Sequence, residues 1–286
     1  MDYNYSTTVK SSLSDELINT YLLRPIAGLV VRALYHTPVT PNQVTLISTF
    51  VGVVAAALYF PREASWTAIA GLCVTVKDIL DSADGQLARA KQQYSRRGRF
   101  LDSIGDFLVN ACLFGVFGYI LFQQFHTLEV LVLSLLGFWG ITLRVSYHVF
   151  YQAFYLHLEK KYEVNRVTET ITDEDRKGDT VTYLLQRTFQ FLYGWQDRLM
   201  IRVDYWCRSG SDASEYLHGW YSNPIGLRLS GLIGIGTELF LLMLFSLFNQ
   251  IRLYLYVNLF LMNGILLISI LYRKFFLHRS LLSRGQ

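Results

Sequence analysis

Residues 81–106 read DSADGQLARAKQQYSRRGRFLDSIGD, and four carboxylates within the stretch stand at helical spacings. Asp81 and Asp84 are three residues apart and Asp102 and Asp106 are four apart, so each pair projects from one face of its own helix. The segments on either side are apolar enough to span a membrane. Four like charges crowded beside a bilayer repel one another and resist desolvation, which makes a bound cation the natural reading. The stretch points to a metal-dependent enzyme at a membrane surface.

Composition agrees with a membrane setting. Of 286 residues 52% are hydrophobic and only 17% charged, with 19 Tyr and 19 Phe, a balance unlike that of soluble domains. Lys and Arg gather in the N-terminal segment, at 89–99, at 159–208 and in the tail 273–284. That bias favours anionic lipid and anionic substrates; no nucleic-acid-reading motif is present. Cys73, Cys112 and Cys207 are too scattered for a disulfide framework or a metal-binding pair and read as small apolar packers. The polar, acidic N-terminus is no cleavable signal, and the short Asn4-Tyr5-Ser6 acceptor match is discounted.

Six apolar runs are long enough to cross a hydrocarbon core of ~30 Å: 43–60, 66–90, 98–122, 128–157, 226–248 and 253–275. They lack strand alternation, so the expected fold is an all-α, integral membrane six-helix bundle. It divides into a juxtamembrane segment (1–40), spans one to four with the site (41–157), an amphipathic insertion (158–225) and spans five and six with a basic tail (226–286). Asp15–His36 reads as an N-terminal interfacial amphipathic helix broken at Pro25. Within the insertion, 161–179 is highly charged, whereas 180–208 reads as one or two amphipathic helices on the membrane surface or over the site. The loops 61–65, 123–127 and 249–252 hold only Arg62 and Arg252 as basic residues. By the positive-inside rule the opposite face, which carries the acidic stretch, is cytoplasmic; in a prokaryotic cell the membrane would be the inner one.

Asp81, Asp84, Gly85 and Ala88 form one helical stripe, with carboxylates for a hard cation and small residues that leave room beside them. Arg89 adds a fixed positive charge for a phosphate. After a turn ending at Gly98, the next span returns Asp102 and Asp106 to the same height, a geometry suited to one or two Mg²⁺ or Mn²⁺ ions and a bound diphosphate. Solvated helix-end acids would account for two carboxylates, but not for four in register with Gly, Ala and Arg. With no Walker sequence and no zinc-type histidine cluster, the fitting chemistry is transfer at a diphosphate.

Asp81-x-x-Asp84-Gly85-x-x-Ala88-Arg89, eight residues, Gly98, three residues, Asp102, three residues, Asp106 resembles the signature of the CDP-alcohol phosphatidyltransferase family at all of its positions. The resemblance extends from Asn42 to the C-terminus and is weakest across 159–224. It implies metal binding by Asp81, Asp84, Asp102 and Asp106, with Asp106 also the general base toward an acceptor hydroxyl. It implies CDP contacts at Asn42, Thr45, Asp81, Gly85, Ala88, Arg89 and Ser95, release of CMP from a CDP-linked substrate, and a homodimer in the membrane. The expected reaction transfers a phosphatidyl group from CDP-diacylglycerol to a polar alcohol. The reverse arrangement, a polar head group donated to a lipid alcohol, stays open. A transporter is disfavoured because the acids cluster at one face of the membrane.

Other residues carry expectations of their own. Arg144, inside span four, is expected to face the cavity or an acid, with an acceptor phosphate as one partner. Arg228 has a similar claim or snorkels to headgroups, and Arg96, Arg97 and Arg99 either help an anionic acceptor or anchor the cytoplasmic face. These arginines tilt the acceptor toward a phosphorylated alcohol. Asp78 is expected to pair with Lys77 or a water, and Glu238 to make a structural hydrogen bond. His148 and His157 are expected to pack or hydrogen-bond at the end of span four. Gly231, Gly234 and Gly236 suggest close helix packing, with a dimer interface as one setting. Phe189–Trp195 reads as an interfacial anchor.

Overall fold

The computed structural model describes residues 13–159, 171–172 and 178–283; the glycosylation match and most of the charged run 161–179 lie outside them. The architecture is an all-α membrane fold, with no strand among the described residues. A π turn, Asn19–Leu23, leads into α1, Arg24–Leu34. Then come α2 (Pro41–Ala57), α3 (Ala64–Ala90), α4 (Arg96–Phe125) and α5 (Leu128–Leu158). The insertion contributes α6 (Thr180–Cys207) and α7 (Ser214–Tyr221). Span five is broken into α8 (Pro224–Gly231) and α9 (Ile235–Leu247), and α10 (Ile251–Leu282) closes the bundle. Four segments are long and apolar enough to cross a membrane: α4, α5, the α8–α9 unit and α10. α2 is apolar but shorter, and α3, 27 residues long, is charged toward its C-terminal end.

The helix starts follow local chemistry. Thr40 caps α2 in a reciprocal capping box with Gln43, and Pro41 occupies the first turn, where its missing N–H costs nothing. Ser95 caps α4 by accepting from Gly98 N at 2.9 Å. Gly98 therefore sits inside the first turn of α4, not at the end of the preceding turn. A methyl there would strike the Asn42 carboxamide, which lies against the start of α4.

α2 is the wedge between α3 and α4. Thr45 Oγ1 donates to Asp84 Oδ2 at 2.5 Å and Ser48 Oγ to the Lys77 carbonyl at 2.9 Å. Gly105 of α4 admits the Thr49 hydroxyl where any Cβ would collide with it. Below these contacts Ala55, Tyr59, Val74, Leu113, Phe117, Leu242 and Tyr254 form the main apolar core.

The N-terminal helix departs from expectation. Pro25 does not break it: lacking an N–H, it is accommodated by the π turn just before it, where Arg24 N donates to Asn19 O. α1 packs along α3 through Ala27 and Val31 against Ala83 and Leu87. Gly231, Gly234 and Gly236 receive this segment: a Cβ at Gly234 would strike Glu16 and one at Gly236 would strike Asn19. Glu16 Oε2 accepts from Thr237 N at 2.7 Å, capping α9 from another part of the chain, and Gln152 Nε2 donates to Ser14 O at 2.7 Å.

Burial raises the Glu16 carboxyl to about 7, against the lowering pull of its Thr237 bonds. Since the docked helix holds that proton more tightly than free chain does, docking is strongest below pH ~4.5 and loses about 3 kcal/mol as pH rises through 7. A nitroxide at the exposed Tyr21 position should become more mobile from pH about 5.5 to about 8.5, and Glu16→Gln should flatten the response. An unchanged spectrum in the parent protein would refute the assignment.

α6 lies against α4 and α5: Phe189 packs on Phe100, Trp195 on Trp139, and Tyr193 O–H donates to Ser103 O at 2.7 Å. Phe189, Tyr193 and Trp195 of the run pack between helices because α6 crosses α4 there, whereas Phe191 is exposed. Asp204 fixes the far end of α6 by accepting from Tyr151, Trp220, Tyr221 and Arg208.

Candidate active site

α3 and α4 run antiparallel and bring Asp81, Asp102 and Asp106 together, with one oxygen of each within 4.8 Å of the others. Asp84, one turn along α3 from Asp81, is turned toward α2 by Thr45. Lys77 Nζ, nearly inaccessible, touches Asp81 at 3.4 Å and makes a shorter ion pair with Asp106. The expected Asp78–Lys77 pair is not formed. Lys77 reaches Asp81, four residues on and on the same face of α3, and crosses to Asp106, while Asp78 lines the cavity.

The cluster opens into a cavity of about 350 Å³ walled by α3, α4, α5, Tyr193 of α6 and the N-terminal helix. Gly85, Arg89 and Arg99 line it, as do His148 and Gln152 of α5. Of the expected nucleotide contacts, Asp81, Gly85 and Arg89 face the cavity and Thr45 touches the cluster through Asp84. Ala88 is half-buried, and Asn42 and Ser95 meet at Gly98.

The donor set fits a hard divalent cation. All the converging atoms are carboxylate oxygens, and Asp102 Oδ1 is buried with no hydrogen-bond partner. A buried orphan acceptor is costly unless something electropositive meets it.

Two arginines fall elsewhere. Arg144 is fully buried and pairs with Glu238 at 2.8 Å, its other amine bonding Asn258 O and Asn263 Oδ1. The acid is thus its partner, not an acceptor phosphate: inside apolar helices a nearby carboxylate is the cheapest neutralisation available. Glu238 has the structural role expected of it and also accepts from Tyr254 O–H at 2.9 Å. Arg228, exposed on α8, does not line the cavity, whereas Arg99 does.

Sequence reasoning missed Lys77 as a cluster member and missed the N-terminal helix as a wall, where Asp15, Glu16, Asn19 and Arg24 line the cavity. The i, i+4 spacing of Lys77 and Asp81 was a usable signal. Nothing local announced the other.

Comparison with known proteins bears on the same region. The chain is 31% identical over 131 residues to the bifunctional IPC transferase and DIPP synthase of Thermococcus kodakarensis, covering 46% of this chain and 29% of that protein. It is 38% identical over 100 residues to the phosphatidylinositol phosphate synthase of Streptomyces avermitilis, covering 34% and 38%. Over 86 residues it is 38% identical to the archaetidylinositol phosphate synthase of Pyrococcus horikoshii, covering 30% and 44%. The chain thus spans less than half the length of each of these relatives. The profile of the CDP-alcohol phosphatidyltransferase family matches residues 38–196. That segment exceeds half of the chain and contains all four signature carboxylates, and the protein belongs to the CDP-alcohol phosphatidyltransferase family.

Proposed function

We propose that the protein transfers a phosphatidyl group from CDP-diacylglycerol to a polar alcohol and releases CMP. The observation that carries the reading is the convergence of Asp81, Asp102 and Asp106 from two antiparallel helices at a cavity floor. These residues and Asp84 would hold one or two Mg²⁺ or Mn²⁺ ions. When bound, the metal neutralises diphosphate oxygens and stabilises the departing phosphate.

The chain's own groups do the rest. Arg89 binds phosphate charge, and Gly85 leaves space for the nucleotide beside α3. Asn42 and Ser95 meet at Gly98 in the α2–α4 corner, and with Thr45 and Ala88 complete the nucleotide side. Asp106 takes the proton from the acceptor hydroxyl as its oxygen bonds to the β-phosphorus, while the bond from that phosphorus to CMP breaks. Lys77 keeps the Asp81 and Asp106 carboxylates facing the cavity. Two of the relatives named above are synthases of phosphatidylinositol phosphate and archaetidylinositol phosphate by name, and a phosphorylated inositol is the acceptor we assign, its phosphate met by Arg99 in place of Arg144 or Arg228. The active face is cytoplasmic, by the distribution of Lys and Arg, and the working unit is a homodimer.

The test is CMP release by the purified protein in nanodiscs with Mg²⁺. CDP-diacylglycerol or CDP-choline is supplied as donor, against inositol, inositol phosphate, glycerol phosphate and diacylglycerol as acceptors. The expected result is CMP from CDP-diacylglycerol with inositol phosphate and its loss on chelation. CMP from CDP-choline with diacylglycerol alone would reverse the donor assignment.

A further inference from the structure

We propose that the segment from Ser14 to Arg24 is the acceptor-facing wall of the cavity and that Glu16 is the positioning residue that holds it there. The inference rests on the reaction proposed above.

This wall lies before residue 38, outside the segment matched to the family, yet it contributes Asp15, Glu16, Asn19 and Arg24 to the cavity lining. Its docking is specific: Glu16 caps α9 at Thr237, Asn19 Nδ2 donates to Glu16 Oε1 at 3.2 Å, and Gln86 Nε2 donates to Arg24 O at 3.2 Å. Gly234 and Gly236 provide the seat.

The chemistry of the wall suits an acceptor and not a lipid tail. Asp15 is paired with Arg24 at 2.5 Å and Glu16 with Thr237, but the buried Asn19 Oδ1 has no hydrogen-bond partner; acyl chains would leave it so, whereas the hydroxyl of a polyol satisfies it. Position agrees. Asp78 lines the same end of the cavity, on the side of Asp81 opposite Gly85 and Arg89. In-line displacement puts the entering hydroxyl opposite the departing CMP. An independent observation marks that end as a ligand site. Asn110, one turn beyond Asp106 on α4, is more than nine-tenths buried and lines the cavity, and its carboxamide oxygen has no hydrogen-bond partner.

The experiment uses the full chain in nanodiscs with Mg²⁺. Glu16→Ala should raise the KM for inositol phosphate about tenfold and leave that for CDP-diacylglycerol within about twofold. Glu16→Gln, which still accepts from Thr237, should stay near the parent value. The double variant Glu16→Cys, Gly234→Cys, closed as a disulfide where a Cβ at Gly234 would meet the Glu16 side chain, should restore acceptor KM by holding the segment in place, and its reduced form should behave like Glu16→Ala. An unchanged acceptor KM, a donor KM that rises instead, or no rescue by the disulfide would overturn the proposal. A second measurement separates it from the reaction itself: inositol phosphate without donor should raise the melting temperature of the parent protein but not of Glu16→Ala. If that shift behaves as stated while no CMP is released, the reaction falls and the wall stands. If CMP is released but neither shift nor acceptor KM responds, the wall falls and the reaction stands.

Discussion

Asp106→Asn should lower CMP release by about 10²–10⁴-fold while the protein stays folded. The substitution keeps size and leaves an oxygen to accept from Lys77, so the Lys77 bridge between α3 and α4 survives. What it removes is the only atom set in the cluster assigned to take the acceptor proton, together with one oxygen donor for the cation. The two losses are separable by titrating Mg²⁺. A base defect persists at saturating metal, whereas a ligand defect is relieved by it. Asp102→Asn, which removes the orphaned carboxylate, should show mainly the second behaviour. Full turnover by Asp106→Asn at any metal concentration would overturn the base assignment.

The second large effect lies away from the chemistry. Arg144→Met should cost about 3–5 kcal/mol of stability, because Glu238 is left charged and unpaired among apolar helices. Glu238 would keep Tyr254 and Asn258 as donors, but neither supplies a charge. The double variant Arg144→Met, Glu238→Gln retains those two hydrogen bonds and removes the stranded charge, so most of the loss should be recovered. Unfolding midpoints in detergent measure both, and the acceptor KM of the double variant should match that of the parent. A tenfold weaker acceptor in a well-folded double variant would return Arg144 to the substrate site.

The same residues show what sequence can convey. The paired spacings of Asp81–Asp84 and Asp102–Asp106 place each pair on one face of its own helix; that Asp81 meets Asp102 and Asp106 while Asp84 turns to Thr45 is decided by the packing of α2. Of the six spans read from hydropathy, four recur as helices long and apolar enough to cross a membrane, while α2 is shorter and α3 is charged at one end. Arg144 illustrates the limit. Its need for a partner is legible, but Glu238 and a substrate phosphate are equally good partners until the fold decides which is near. Gly231, Gly234 and Gly236 are legible as a close-packing face, yet the object packed is Asp15–Asn19, more than two hundred residues earlier. The aromatics of α6 read alike whether a ring meets a headgroup or another ring.

One helix that donates no carboxylate nonetheless sets the calibre of the site. Because Thr45 and Ser48 of α2 engage α3 while Thr49 nests on Gly105 of α4, α2 acts as a shim between the halves of the acidic cage. Thickening that shim by a methylene or two would pry Asp81 from Asp102 and Asp106 without altering any of the three.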